Sequence, residues 1–417
     1  MGLPKKQPAP RAELAATPAD RFDQILRRAT EKKASDVHLK VGLPPIVRVN
    51  GQLYYLRDDP NTNPSAMTAD QLRGMVYTLM NPRMTEKYDE GREVDLSYEL
   101  PGAGRFRINI CQQRSRPRIV IRYIPEAIPT LDQLSVPATV EKLAMSSRGL
   151  ILVTGATGSG KSTTLAAVMD AITRKRSCHI ITIEDPIEFM FKDRKSIVTQ
   201  REVGIDTPDF GTALKYALRQ DPDVLLVGEM RDEETILMAL SAAETGHLVL
   251  STLHTVDATE TINRILGSVS PGLQNQIRSQ LAAVLVGVVS QRLLRRKDNQ
   301  GRIPAVEILV SNRRVQEIIS DANRTKSLRE VMEESTNLGM QTFDQSLMGL
   351  YKKGLISKEE ALAHCSNRRD FQLRLEGVLP GEWQDKDEKH PHETSHKSYE
   401  LKGNIELDHV SDDHSDD

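Results

Sequence analysis

The stretch GATGSGKSTT, Gly155 to Thr164, has residue types and a spacing that can bind nucleotide phosphates. It meets the pattern GxxxxGK[ST], follows an apolar run and precedes a helical pattern. Glycines let backbone N–H groups approach phosphate oxygens, the lysine supplies a positive charge, the serine hydroxyl can bind Mg²⁺, and the helix adds the positive end of its dipole. We therefore predict phosphate binding by Gly155, Ala156, Thr157, Gly158, Ser159, Gly160, Lys161, Ser162 and Thr163.

Carboxylates follow two further apolar runs. Glu184, Asp185 and Glu188 come after HIITI, and Glu229 comes after DVLLVG. Phosphoryl transfer to water needs a carboxylate that orients the water or holds the metal. An apolar strand of this kind usually ends in an Asp that helps to hold Mg²⁺, but Gly228 occupies that place here, so Glu229 and the earlier acids must share the work. The candidate metal ligands are Ser162, Glu184, Asp185 and Glu229.

Two histidines flank a fourth apolar run, LVLSTL. His247 precedes the run and His254 follows it. A single buried histidine is more often a satisfied core group, but an imidazole just past the carboxyl end of a central strand can reach a γ-phosphate. We therefore predict a catalytic role for His254 and assign no role to His247.

These residues fall where the strands of a parallel sheet would end. Apolar runs occur at Leu150 to Val153 and within HIITIE, DVLLV and HLVLSTL, and helical patterns separate them. Apolar runs that alternate with helices predict a parallel sheet covered on both faces, and ligands of such sheets gather at the carboxyl ends of the strands. The sequence thus predicts an α/β domain over residues 146–378.

A smaller α+β domain is predicted for residues 21–124. Its first helix has one apolar face, and strand patterns follow, with Asn50-Gly51 between two of them as in a hairpin turn. Alternation in RFRINI places Arg105, Arg107 and Asn109 on one strand face. Two adjacent arginines can bind an anion, although a solvated charged face is the simpler interpretation of this strand by itself.

Composition narrows the class of protein. The apolar runs are too short to span a bilayer and no secretory signal is present, so we expect a cytoplasmic chain without membrane insertion. The three cysteines are scattered, which argues against a zinc module.

Residues 381–417 carry 12 Asp and Glu against 4 Lys and Arg, and they contain five of the ten histidines. We predict a disordered acidic tail over 379–417, a flexible arm over 1–20 and a linker with a short helix over 125–145.

Together these motifs resemble a known family. TGATGSGKSTT, TIEDPIEF, LLVGEMRD and AAETGHLVLSTLHT occur in the order and spacing of the hexameric secretion ATPases that power type II secretion and type IV pili. KASDVHLKVGLPPIVRVNG, QREVG and LGMQTFDQSLMGLYKKGLIS are similar to the retraction branch, the PilT-like motors. The assembly motors of the family carry a large extra N-terminal domain and a four-cysteine motif, and we expect neither in this chain.

The resemblance implies a PAS-like N-terminal domain and a RecA-like ATPase domain, six copies in a ring, and ATP with Mg²⁺ between the two domains. It implies that Arg105, Arg107 and Arg122 reach the γ-phosphate, that Glu188 is the base that polarises water, and that Glu229 acts on the metal and γ-phosphate side. The last two roles could be exchanged. It also implies docking on an inner-membrane pilus platform protein of the PilC-like type, at the cytoplasmic face of the inner membrane.

The sequence leaves other functions open. Where many retraction motors have a helix close to AIRNLIRE, this chain has RRVQEIISDANRTKSLRE, so an accessory PilU-like motor beside a second retraction ATPase, or an assembly or secretion ATPase, stays open. A RecA-like nucleic-acid translocase is disfavoured because aromatic residues are only 4% of the chain and Trp383 lies in the tail, so we expect no nucleic-acid partner. A regulatory ATP-binding module without turnover would leave the acids and histidines without a purpose.

Overall fold

The computed structural model describes residues 17–49, 51–57, 65–124 and 127–377. These residues form two compact units, and the second begins at Ala127. The first unit contains α1 (Pro18–Glu31), β1 (Asp36–Lys40), β2 (Ile46–Val49), β3 (Gln52–Tyr55), α2 (Ala69–Leu79), α3 (Pro82–Asp89), β4 (Val94–Leu100), β5 (Gly104–Gln113) and β6 (Arg116–Ile124).

The second unit alternates strands with helices. Its elements are α4 (Ala138–Ala144), β7 (Gly149–Thr154), α5 (Lys161–Lys175), β8 (His179–Glu184), β9 (Ile197–Glu202), α6 (Phe210–Ala217), β10 (Val224–Val227), α7 (Glu233–Glu244), β11 (Leu248–Leu253), α8 (Ala258–Gly267), α9 (Gln274–Val284), β12 (Leu285–Arg295), β13 (Arg302–Val310), α10 (Arg313–Ser320), α11 (Leu328–Glu334), α12 (Phe343–Lys352), α13 (Lys358–His364) and α14 (Arg368–Leu375), with 3₁₀ turns at Thr325–Ser327 and Thr336–Leu338.

The first unit is a six-stranded antiparallel sheet in the order β3-β2-β1-β6-β5-β4. Its apolar strand face packs with α1 and α2 in one core, in which Phe106, Ile108 and Ile110 are almost fully buried. The predicted α+β class is therefore confirmed. Val49 and Gln52 are opposite one another in the β2–β3 hairpin, while Asn50 lies outside the described residues.

The second unit is built on a seven-stranded sheet in the order β13-β12-β7-β11-β10-β8-β9. All neighbouring strands are parallel except β12 and β13. Both faces are covered: Leu150 and Leu152 of β7 pack in one core, and Ile151 and Val153 pack in the core on the opposite face. Burial on both faces explains why the central strands are continuous apolar runs, and the predicted mostly parallel sheet is confirmed.

The structure differs from two predicted boundaries. α1 begins at Pro18, inside the predicted arm, because Thr17 and Asp20 form a capping box at its start. Much of the predicted linker packs in a core of the second unit: Leu131, Val136 and Leu143 are nearly buried there. Prolines on both sides hid these apolar contacts in the sequence. Residues 1–16 and the tail predicted for 379–417 lie outside the described residues.

The apolar positions of α10 have a structural use. Val315, Ile318 and Ile319 are almost fully buried in the main core of the second unit. These three apolar residues are thus the packing face of the helix. None of the helices in the described ranges combines the length and the hydrophobicity that crossing a bilayer requires.

Candidate functional site

The predicted residues of the second unit meet at the carboxyl edge of its parallel sheet. In the pairing of β7 with β11, Thr154 is opposite Leu253, so Gly155 and His254 follow at the same edge. The ends of β8 and β10 lie at this edge as well, because Val227 of β10 is opposite both Ser251 of β11 and Ile183 of β8. The register therefore brings the glycine loop, His254 and the carboxylates after β8 and β10 to one edge, where parallel sheets bind their ligands.

The loop between β7 and α5 is shaped by its glycines. Gly155 has a φ of +144° and Gly158 a φ of +79°. A Cβ atom on Gly155 would lie 2.5 Å from the carbonyl oxygen of Gln291 on β12 and 2.5 Å from Oγ of Ser159. No larger residue fits at that position, because one of the two atoms belongs to the backbone of an adjacent strand. Strand β12 thus requires a glycine at this point of the loop.

Lys161 is the first residue of α5 and is held inward. Its Nζ donates hydrogen bonds to the carbonyl oxygens of Gly155, at 2.7 Å, and Ala156, at 3.2 Å. Burial lowers the pKa of Lys161, and the charges of Glu229 and Glu188 partly offset the effect. Both carboxylates therefore act electrostatically on the lysine of the loop.

The loop offers further groups that suit a phosphate ligand. The Ser159 hydroxyl is buried and has no hydrogen-bond partner among the described residues, so it can serve a ligand. Ser162 and the loop tip Ala156 to Gly158 are exposed at the N-terminal end of α5, a 15-residue helix. N–H groups and the dipole at such a helix end favour an anion. The residues present thus fit the phosphates of a nucleotide.

Glu229, after β10, is held by two neighbours. Its Oε2 lies 2.7 Å from Nη2 of Arg231 and 3.3 Å from Nε2 of His254. Burial by itself would raise the pKa of Glu229, but the hydrogen bond from Arg231 and the positive partners outweigh it and hold that pKa below its usual value. Glu229 is therefore an ionised carboxylate in contact with a histidine that is exposed at the same edge.

The glycine in place of the usual Asp has a steric reason. A Cβ on Gly228 would lie 3.2 Å from the carbonyl oxygen of Ile183 and 3.5 Å from Cα of Glu184. β8 and β10 therefore approach too closely at this point for a side chain to fit without a shift. The nearest carboxylate after β10 is therefore that of Glu229, one residue further along the chain.

The acidic residues after β8 are not equivalent. Oε1 of Glu184 accepts hydrogen bonds from Oγ1 of Thr182, at 2.6 Å, and from Nε2 of Gln200, at 3.0 Å. Burial raises the pKa of Glu184 to about 7, and these hydrogen bonds limit the rise. Asp185 is exposed and Glu188 is partly buried. Among the described residues, no group of three or more His, Cys, Asp or Glu is arranged as a metal site, so a bound cation would need oxygen atoms from a ligand as well.

Other candidates lie elsewhere. His247 precedes β11, at the opposite edge of the sheet, where its Nδ1 is 2.9 Å from the carbonyl oxygen of Ala242 at the end of α7. Arg105, Arg107 and Arg122 belong to the first unit. Nε of Arg122 donates to Oδ1 of Asp36 at 2.9 Å, and Arg107 lies near Asp95. The predicted contact of these three arginines with a γ-phosphate stays a prediction.

Sequence reasoning missed two site residues. Arg231 follows Glu229 by two positions, and a basic residue so close to a candidate catalytic acid was a usable signal. Gln200 lies in QREVG, a stretch used only as a mark of resemblance. Its importance depends on how β9 is placed in the sheet, which the local pattern does not reveal.

A glycine loop that cradles phosphates, a lysine at the head of its helix and carboxylates at neighbouring strand ends define a P-loop ATPase. A family model described as type II/IV secretion system protein matches residues 14–362. The chain belongs to this family.

Named relatives share most of the chain. It is 44% identical over 329 residues to the twitching motility protein of Neisseria gonorrhoeae, with 79% of this chain and 86% of the relative covered. It is 42% identical to the type IV pilus retractation ATPase PilT of Pseudomonas aeruginosa, with 81% and 96% covered. It is 39% identical to the type IV pilus ATPase PilU of the same organism, with 85% and 91% covered.

A solved structure agrees with these relatives. The crystal structure of the pilus retraction motor PilT with bound ADP is similar with a TM-score of 0.77 and 44% identity, and the match covers 84% of this chain and 98% of that chain. The RecA-like and N-terminal domain architecture implied by the resemblance is confirmed by this match.

Proposed function

We propose that this chain is an ATP-hydrolysing motor that retracts type IV pili and so supports twitching motility. The observation that carries the proposal is the 42% identity to a pilus retraction ATPase over 96% of that relative, in a chain whose phosphate loop and strand-end carboxylates form one site. Fold alone would not be sufficient, because P-loop folds serve many activities.

Each residue of the site has its own role in the proposed hydrolysis of ATP. Lys161 and the backbone N–H groups of the loop bind the β- and γ-phosphates, and Ser162 would hold Mg²⁺. When bound, Mg²⁺ neutralises charge that develops on the phosphates. Glu188 orients and deprotonates the attacking water. Glu229 and His254 interact with the γ-phosphate. Glu184 and Asp185 act as outer carboxylates toward the metal.

Three arginines of the first unit are further candidates in this proposal. Arg105, Arg107 and Arg122 donate to the γ-phosphate and lose that contact when it leaves. Six copies form a ring that is cytoplasmic, docks on an inner-membrane platform protein, and works with or without a second retraction ATPase. The similarity to both a PilT and a PilU protein supports this family role.

The alternative function is that of an accessory motor. The 39% identity to a PilU protein and the divergent sequence of α10 favour it over an assembly motor. An accessory motor would need a second ATPase for normal retraction.

Cells that lack the gene provide the test. We expect many surface pili by electron microscopy and loss of surface motility, because pili that cannot retract accumulate. Bare cells would show an assembly motor instead, and unchanged pili with normal motility would contradict the retraction role. An intermediate defect that a second retraction ATPase rescues when overproduced would identify an accessory motor.

The matched control compares two lysines. A gene with Lys161→Ala should not restore motility, because it lacks the charge that binds the phosphates. Lys215→Ala removes the same charge from an exposed position on α6 and should restore motility fully. Equal rescue by both variants would show that ATP turnover at this loop is not required.

A further inference from the structure

The side chain of Gln200 on β9 makes three hydrogen bonds around the loop that follows β8. Its Nε2 donates to Oε1 of Glu184, at 3.0 Å, and to the carbonyl oxygen of Phe189, at 2.9 Å. Its Oε1 accepts from the backbone N–H of Phe191, at 2.9 Å. A carboxamide has two donor hydrogens and one acceptor oxygen, so every polar group of this side chain is engaged.

The position of Gln200 follows from the pairing of β9 with β8. The two strands are parallel and Gln200 is opposite Thr182, whose hydroxyl donates to the same Oε1 of Glu184. Oε1 of Glu184, at the end of β8, is therefore held by a hydroxyl of its own strand and by a carboxamide of β9. Pairing in the sheet fixes this arrangement more firmly than a contact between two loops could.

A second residue of β9 holds the same loop on its other side. Oε2 of Glu202, which is buried, accepts from the backbone N–H of Ile187 at 3.2 Å. Ile187 and Phe189 are the two chain neighbours of Glu188. The backbone is thus fixed immediately before and immediately after the candidate base, although the segment between β8 and β9 contains no helix or strand of its own.

We propose that Gln200 is a positioning residue for hydrolysis: it fixes the loop that carries Glu188 and, through the same carboxamide, the carboxylate of Glu184. The inference rests on the proposed role of Glu188 as the base. A base acts on water only from within hydrogen-bond reach, and a displacement of about 1 Å can cost on the order of a hundredfold in rate. A loop without regular structure needs such a support.

Loss of the Gln200 hydrogen bonds should affect ATP turnover and not ATP binding. The hydrogen bonds of the Gln200 side chain go to Glu184, Phe189 and Phe191, and none of the three goes to the phosphate loop. Loss of these bonds should therefore lower kcat and leave the KM for ATP almost unchanged. A residue needed only for folding would instead lower the thermal midpoint and leave the kcat of the folded protein as it was.

The experiment measures ATP hydrolysis by the purified full chain with Mg²⁺. We expect Gln200→Ala to lower kcat about tenfold with KM within about twofold. Gln200→Met has similar bulk and no hydrogen-bonding group, so it should be as slow as the alanine variant. The matched control is Thr199→Ala, on the opposite side of the same strand, which should keep the kcat of the unaltered chain. Recovery of kcat in Gln200→Met would overturn the proposal, since packing would then suffice.

A double-mutant cycle tests the route through Glu188. If Gln200 acts mainly by placing this carboxylate, Gln200→Ala should lower kcat clearly less once Glu188→Gln is present than it does in the unaltered chain, because one of the two carboxylates that it places has gone. Independent, multiplicative losses would overturn the inference. Normal kcat in Gln200→Ala beside a slow Glu188→Gln would overturn the inference alone, whereas normal kcat in Glu188→Gln would overturn the proposed role of Glu188 as well.

Discussion

Substitution of Gly155 by alanine should disable the phosphate loop more severely than the same change at Gly158. At Gly155 the φ of +144° lies outside the left-handed helical region, and the new Cβ would lie 2.5 Å from a backbone oxygen of β12 and from Oγ of Ser159. Such backbone strain costs about 1 to 3 kcal/mol, and the contacts add to it because the strand cannot move away. We take about 3 kcal/mol as a minimum, which is roughly a 150-fold change in an equilibrium constant.

Gly158 provides the matched comparison within the same loop. Its φ of +79° is also positive, but a Cβ there would meet no atom within 4 Å. Alanine in the left-handed region costs about 1 kcal/mol, or roughly fivefold in affinity. The difference between the two variants therefore combines the steric contact with β12 and Ser159 and the less favourable φ of Gly155.

The assay is titration of a fluorescent ATP analogue into each purified variant, with the thermal midpoint measured in parallel. Gly155→Ala should bind at least about 150-fold more weakly, or show the same free-energy loss in its stability, and Gly158→Ala should bind about fivefold more weakly. Equal affinities and equal thermal midpoints for the two variants would refute the argument from loop shape.

Three further predictions follow from the charges. Glu188→Gln or Glu229→Gln should lower kcat at least about tenfold, and unchanged hydrolysis in both would contradict a catalytic site here. Arg231→Ala should raise the pKa of Glu229 and move the acid limb of the kcat/KM profile to higher pH, because Arg231 helps to hold that pKa down. Burial raises the pKa of Glu307 from 4.5 to about 7, so the folded state keeps a proton that the unfolded state loses. The free energy of unfolding should therefore fall by up to about 3 kcal/mol as the pH rises from 4.5 to 7. In denaturant titrations at several pH values, Glu307→Gln should make this fall smaller. An equally large fall in the variant would contradict the role of Glu307.

The sequence predicted those parts of the site that depend on local patterns. The GxxxxGK[ST] spacing located the loop, and apolar runs without polar alternation located the buried strands, because a strand covered on both faces has no polar side. The carboxyl-end rule for parallel sheets then placed His254 and Glu229 at one edge with the loop. His254 does contact Glu229 in the structure, at 3.3 Å.

Other features depend on strand order and register, which periodicity does not encode. The position of β9 beside β8 brings Gln200 to Glu184, and no local pattern in the sequence predicts that β9 is the strand next to β8. The pairing of Glu229 with Arg231 and the steric reason for Gly228 became visible only with side chains in place. The packing of Leu131 was hidden by the surrounding prolines.

The most direct test of a retraction motor is to watch pili shorten. Surface pili of a strain without the gene would be labelled with a fluorescent dye and filmed after return of the unaltered gene, of Lys161→Ala or of Lys215→Ala. We expect frequent retraction with the unaltered gene and with Lys215→Ala, and long pili that do not shorten with Lys161→Ala. Retraction at the normal frequency in cells that carry only Lys161→Ala would contradict the claim that ATP hydrolysis at this loop drives it.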